Sequence, residues 1–132
     1  MKVVFEKGLP GFESHKNFEI NDIEENQKFK VVNSLDDKSV GFIAVSPFDI
    51  KKDYEIKLDA DTINSLKIDK PEEVLLLNIV TLGKKLEDST VNLKAPLVMS
   101  VKNKLGLQLI LQDDKYDIKE PLIGCGKDVS NF

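Results

Sequence analysis

The stretch "FKVVNSLDDKSVGFIAVSP", residues 29–47, decides the fold class. It holds two runs, 29–36 and 40–47, in which apolar residues follow a period of two, the repeat of a β-strand. Between them "DDKS" has turn chemistry, because Asp and Ser bond to nearby backbone and so favour a chain reversal. Farther on, "YEIKLD" (54–59) alternates cleanly. Tyr54, Ile56 and Leu58 point one way; Glu55, Lys57 and Asp59 point the other. That pattern predicts a strand in a sheet with one wet face.

The remaining runs extend this reading. "EVLLLNIVTL" (73–82) is the most apolar segment, is rich in β-branched residues and follows Pro71. It reads as a strand buried on both faces, with a buried helix as rival, since short apolar runs do not separate the two. "GKKLEDS" after it is an exposed charged loop. "TVNLKAPLVMS" (90–100) reads as strand, break at Pro96, strand. "GLQLILQ" (106–112) is another strand, and "YDIKEPL" (116–122) an edge strand, because Pro121 cannot donate to a ladder. "FEINDIEENQ" (18–27) reads as a strand entering a loop. One helix is predicted over 59–68, with Asp59, Asp61 or Thr62 as N-cap and Ile63, Leu66 and Ile68 along one side. Eight or nine short strands with one short helix fit a small barrel or sandwich. Closure removes exposed edges, so the expectation is a mainly β, antiparallel, barrel-like single domain over 1–122. The tail, 123–132, has two glycines and no periodicity and is expected to be mobile.

The loops hold the anomaly. "EKGLPGFE" (6–13) contains Gly8, Pro10 and Gly11, which shape a turn. It also carries Leu9 and Phe12, although loops are usually polar. Phe48 and Ile50, beside Pro47, repeat the anomaly in 46–54. Such residues either fold inward beneath the turn or form an exposed apolar rim that marks a binding face.

Composition limits the function. The chain has 132 residues, 41% apolar and 32% charged, as expected of an ordinary globular domain. The apolar run in "MKVVFEKG" is too short for a signal peptide, and nothing approaches a membrane span, so a cytoplasmic protein is expected, with no membrane role. The nineteen basic residues are all lysine and the net charge is −4. Without arginine, direct nucleic-acid binding is disfavoured; a basic protein partner suits the charge better. Cys125 has no second cysteine for a disulfide or a zinc site. Paired with His15 it could only formally make a nucleophile; an incidental thiol and a solvated histidine are the reading taken. Glycine-rich phosphate loops and hydrolase or metalloprotease motifs are missing. Carboxylates cluster at 22–26, 58–62 and 112–117, in polar turns where ordinary solvated acids are the default. "DADT" lacks the later Gly and Glu of a calcium loop, and capping explains it better. No catalytic residue, metal site or cofactor is predicted.

Together, "GLPGFE", "VNSLDD", "GFIAVSPFDIKKDYEI", "TVNLKAPLVM" and "GLQLIL" resemble the FliW family of flagellar assembly factors, in order and spacing, from about residue 3 to 122. The resemblance implies a non-enzymatic, β-barrel-like cytoplasmic regulator. Such proteins bind flagellin and, when free of it, bind CsrA, a small basic RNA-binding dimer that represses flagellin translation. By the same resemblance Leu9, Phe12, Glu13, Pro47, Phe48 and Tyr54 are the candidate partner-binding residues. Gly8, Pro10, Gly11, Asn92 and Pro96 are the candidate structural residues, and Asp53, Leu93 and Ala95 complete the matched blocks. Asn92 is expected to serve as a structural hydrogen-bonding residue. The chain is expected to be a monomer when free. The rival reading is a small barrel that binds a small molecule, or does carboxylate chemistry, in its interior.

Overall fold

The two runs around "DDKS" form a hairpin in the computed structural model, which describes residues 1–123. Strand β3 (Phe29–Ser34) pairs antiparallel with β4 (Gly41–Val45), Val31 opposite Ile43. The turn is held by Asp37, whose carboxylate accepts from the Ser39 N–H (2.9 Å) and hydroxyl (2.7 Å). Before them come β1 (Lys2–Val4) and β2 (Asn17–Asp22). After them come α1 (Ala60–Leu66), β5 (Val74–Thr81), β6 (Thr90–Val91), β7 (Leu97–Ser100), β8 (Leu105–Gln108) and β9 (Glu120–Pro121).

The sheet runs β4-β3-β2-β1-β8-β7-β5-β6-β9, and a β4–β5 pairing closes its first seven strands into a barrel. The β6–β9 pair extends from β5 outside the closure. The mainly β, barrel-like expectation with one helix is therefore the fold. One seam departs from antiparallel: β1 meets β8 in parallel, Val4 opposite Leu105.

The apolar residues divide into two cores. Inside the barrel, Val3, Phe5, Phe18, Val32, Leu97 and Met99 pack together, with Phe5 and Phe18 edge to face at 5.4 Å. Outside it, Val45, Val80, Val91, Leu93, Tyr116 and Leu122 form a second cluster. β5 stands between them: Leu77 serves the first core and Val80 the second. That explains its nearly continuous apolar run: residues of both parities meet a core, although Val74, Leu75 and Leu76 are only half-buried.

At Gly106 the barrel interior touches the backbone. A Cβ there would lie 2.8 Å from Phe5 Cζ and 2.9 Å from Met99 Cγ. Gly106→Ala is therefore expected to cost about 1–3 kcal/mol, as overpacking does, read as a lower urea midpoint.

Three expectations change. Residues 54–59 alternate in burial as expected, but they join no ladder; the segment is an extended strap. The 106–112 strand is shorter, though Leu109 and Leu111 still donate to Pro96 O (2.9 Å) and Lys94 O (2.8 Å). Short 3-10 helices at Pro47–Asp49, Pro71–Glu73 and Leu86–Asp88 were not anticipated. Ile123, the first residue of the expected tail, is buried at 7% exposure; 124–132, with Cys125, lie outside the described residues.

Candidate functional site

The "GLPGFE" loop is bound into the barrel. Gly8 and Gly11 adopt φ of 65° and 85°, in the left-handed region. A Cβ on Gly8 would also sit 2.6 Å from the Glu13 backbone. Within this tight turn the Phe12 N–H donates to Leu9 O at 2.7 Å. Leu9 is 2% exposed and belongs to the barrel core. Its assignment as a partner contact is corrected: burial makes it the loop's anchor. Phe12 is half-buried, edge-on to Phe42 (5.5 Å) and His15 (5.7 Å). Pro10 and Glu13 are exposed, and the Glu13 carboxylate accepts from the Gly11 N–H at 3.0 Å. That bond holds the Glu13 carboxyl below its ordinary range. The loop therefore gains stability at neutral pH, lost as the pH falls through the depressed value.

Two of the exposed apolar side chains, Phe48 and Ile63, meet elsewhere. β4 ends at Val45, and Ser46 caps the 3-10 turn that follows, its Oγ accepting from the Phe48 N–H at 3.3 Å. Pro47, at the first position of that turn, is buried, so it shapes the turn and offers no contact surface. Phe48 is turned outward, 48% exposed. Its ring meets the Tyr54 ring edge to face at 6.0 Å. From Tyr54 the strap runs extended to Asp59, which caps α1 by accepting from the Thr62 N–H at 2.7 Å. Helix α1 ends at Lys67 in the left-handed region (φ 55°). Asn103 Nδ2 donates to the carbonyls of Leu66 (3.1 Å) and Lys67 (2.7 Å), securing this end.

Strap, helix and β5 enclose an open groove of about 560 Å³. Ile56 and Leu58 line it from the strap, Ile63 and Ile68 from the helix and its end, and Val74 and Leu76 from β5. Phe48 stands at one end; Glu55, Lys57, Asp69 and Lys70 supply polar groups of both signs. Ile63, on the helix, is 37% exposed.

Beneath the groove lies a buried polar seam. Tyr54 is 4% exposed and its hydroxyl donates to Leu93 O at 2.8 Å. Its ring lies 4.4 Å from that of Tyr116, whose hydroxyl accepts from the Glu55 N–H at 2.8 Å. Tyr54 lines the groove from its floor, largely buried and with its polar tip spent inside. The main-chain Asn92 O accepts from Asn78 Nδ2 (2.8 Å), and the Asn92 side chain Oδ1 accepts from the Lys94 N–H (3.1 Å), bracing its own turn. Pro96 and Ala95 are buried beside it, and Asp53 is exposed.

Burial pushes the Tyr54 hydroxyl up to about 12. The unfolded phenol ionises near pH 10, so this group's contribution is whole below about pH 10 and is lost as the pH rises through about 12. Tyr54→Phe is expected to cost about 1–3 kcal/mol at pH 7, because Leu93 O loses its buried partner. It should also flatten this alkaline decline, read from urea midpoints across pH.

The carboxylate clusters do not converge. Asp22, Glu24, Glu25, Asp59, Asp61, Asp113, Asp114 and Asp117 are exposed, and the buried polar side chains among the described residues are Ser34, Thr62, Asn78, Ser89 and Ser100. Among the described residues no group of three or more His, Cys, Asp or Glu is placed to hold a metal. His15 Nδ1 lies 3.1 Å from Ser34 Oγ, which accepts the N–H groups of Asp36 and Asp37 at 3.1 Å and so is committed to the turn. Among those residues, no helix is long and apolar enough to cross a membrane.

Of the residues that line the groove, sequence reading singles out Phe48 and Tyr54 as candidate contacts and not the rest. Ile63 and Ile68 share an apolar helix side with Leu66, but only Leu66 turns into the core. Ile56 and Leu58 carried the right alternation, which reports a face and not what covers it.

The family model described as FliW protein matches residues 1–122. The chain is 49% identical over 129 residues to the flagellar assembly factor FliW of Clostridioides difficile (strain 630), covering 95% of this chain and 99% of that one. It is 51% identical over 124 residues to that of Clostridium novyi (strain NT), covering 94% and 87%. The crystal structure of a flagellar assembly factor FliW superposes with a TM-score of 0.88 at 36% identity, over 92% of this chain and 85% of that one. With the motif order, the barrel and these relatives in agreement, the chain belongs to the FliW family of flagellar assembly factors.

Proposed function

We propose that this protein is a cytoplasmic, non-enzymatic regulator that binds flagellin and, when free of it, binds CsrA and relieves repression of flagellin translation. The observation that carries the reading is family membership across residues 1–122. The exterior apolar groove supports it, because a docking protein needs an apolar surface on its outside. The chain acts as a monomer when free. With no arginine and a net charge of −4 it reaches RNA through the basic repressor and not by direct contact. Opposite charge also speeds encounter with a basic partner. If the two partners bind exclusively, free flagellin sets how much regulator remains to capture the repressor, which is linkage by mass action.

Calorimetric titration of the pure protein against flagellin monomer and against CsrA tests this. Each is expected to give saturable, stoichiometric binding, and each to displace the other. Absence of saturable heat with both at micromolar concentration overturns the reading.

A further inference from the structure

The seven strands of the barrel are not joined equally. Six of the joins are antiparallel, and each pairs three to five residues of one strand with the next. The seventh, β1 to β8, is parallel and pairs Val4 with Leu105 alone. Parallel pairing is also slightly less stable per residue. Across this join the Val4 N–H donates to Lys104 O at 2.9 Å, while on the other side of the chain the Phe5 N–H donates to Lys16 O at 2.7 Å. Two consecutive amides therefore report the two sides of one strand separately.

The turn before β8 links this join to helix α1. The Asn103 N–H donates to Ser100 Oγ at 3.0 Å, and the Lys104 N–H to Ser100 O at 2.9 Å. Lys104 passes through the left-handed region, φ 59°, and its carbonyl is the one that Val4 uses. The Asn103 side chain reaches the other way, to Leu66 O and Lys67 O at the end of α1. One residue thus grips the helix and the next grips β1. Leu66, 2% exposed, borders with Val4, Leu105 and Leu107 a notch of about 50 Å³ over the join.

We infer that the β1–β8 join is where the barrel opens without unfolding, and that helix α1 is its latch, held shut through Asn103. Proteins open in cooperative units, and those with the fewest buried and bonded groups open first. At the other six joins several consecutive ladder positions must part together; here one pair must. The join is kept closed from outside, by Leu66 seated over it and by the Asn103 bonds that fix the helix end. When those bonds break, the helix end and the turn that supplies Lys104 O are released together. The same helix walls the groove through Ile63, so the latch lies between the groove and the barrel interior. This device rests on the fold alone and is independent of which partner docks.

Native-state amide hydrogen exchange of the full-length chain, read by NMR, tests both halves. The Val4 amide is expected to exchange about tenfold or more faster than Phe5, after correction for intrinsic rates. In urea below the transition, Val4 exchange should stay nearly flat while that of Phe5 quickens, because a local opening exposes little surface. Asn103→Ala removes two bonds that break as the latch opens, so it should speed Val4 exchange about tenfold, by the same factor as Phe5. Tyr54→Phe, far from the join, lowers only global stability; it should speed Phe5 and leave Val4 unchanged. If Asn103→Ala does not fold, Leu66→Val takes its place and is read the same way. Equal protection and equal urea slopes for Val4 and Phe5 in the parent would overturn the opening. A latch variant that speeds Phe5 but leaves Val4 unchanged would overturn the latch, since the helix then stays docked while the join opens. Tyr54→Phe speeding both amides alike would show that the join opens only with the whole barrel.

Discussion

Replacing Leu9 by alanine is expected to lower the unfolding free energy by about 2–5 kcal/mol, the range for truncating a buried leucine. The residue lies in a loop, where such a loss is unusual. It is 2% exposed and packs with the barrel core. Its carbonyl also accepts the Phe12 N–H at 2.7 Å, so the turn and the side chain hold each other in place. The cavity would open at one end of the barrel and could relax only by moving a turn fixed by two left-handed glycines. Against a total stability of about 5–15 kcal/mol this is a large fraction. Phe12→Ala is the comparison. Its half-buried ring should cost about 0.75–1.5 kcal/mol, half the value for full burial. Urea unfolding at pH 7 separates the two if the slope is unchanged and only the midpoint moves. Equal, small losses at both positions would refute the anchoring role of Leu9.

The same pair shows what the sequence could disclose. Gly8, Pro10 and Gly11 announced a turn, and the turn is there. Whether Leu9 or Phe12 pointed inward was not legible, because direction depends on what lies beneath the turn, and that core is assembled from strands distant in sequence. Strand positions were largely legible because alternation is local. Pairing was not: "YEIKLD" alternates as a strand does, yet its Glu55 N–H is taken by the Tyr116 hydroxyl, sixty-one residues away. The apolar run at 73–82 declared its burial on both faces but not that its outer neighbour stops at Val45. The groove is lined jointly by strap, helix and β5, and no single segment encodes it. Family motifs brought Phe48 and Tyr54 together without saying that one is exposed and the other buried, which only the packing shows.

Those two roles give the second large effect. Phe48→Ala is expected to weaken the complex with whichever of flagellin or CsrA occupies the groove by about 2 kcal/mol, roughly thirtyfold. Folding stability should fall by less than about 1 kcal/mol, since the side chain is 48% exposed and its aromatic contact among the described residues is edge-on to Tyr54. Aromatic side chains at the end of an apolar channel contribute strongly to docking because they remove much area from water at little cost in rotamer freedom. Tyr54→Phe should show the reverse. It keeps the ring that supports Phe48 but loses the bond to Leu93 O, so stability falls while affinity at a temperature well below unfolding holds within about threefold. Calorimetric titration of both variants against both partners, beside their urea midpoints, reads the two effects separately. If Phe48→Ala binds both partners like the parent, the groove is not where they dock. If Tyr54→Phe weakens binding as much as Phe48→Ala does, the buried hydroxyl shapes the docking surface and the division between contact and support is wrong.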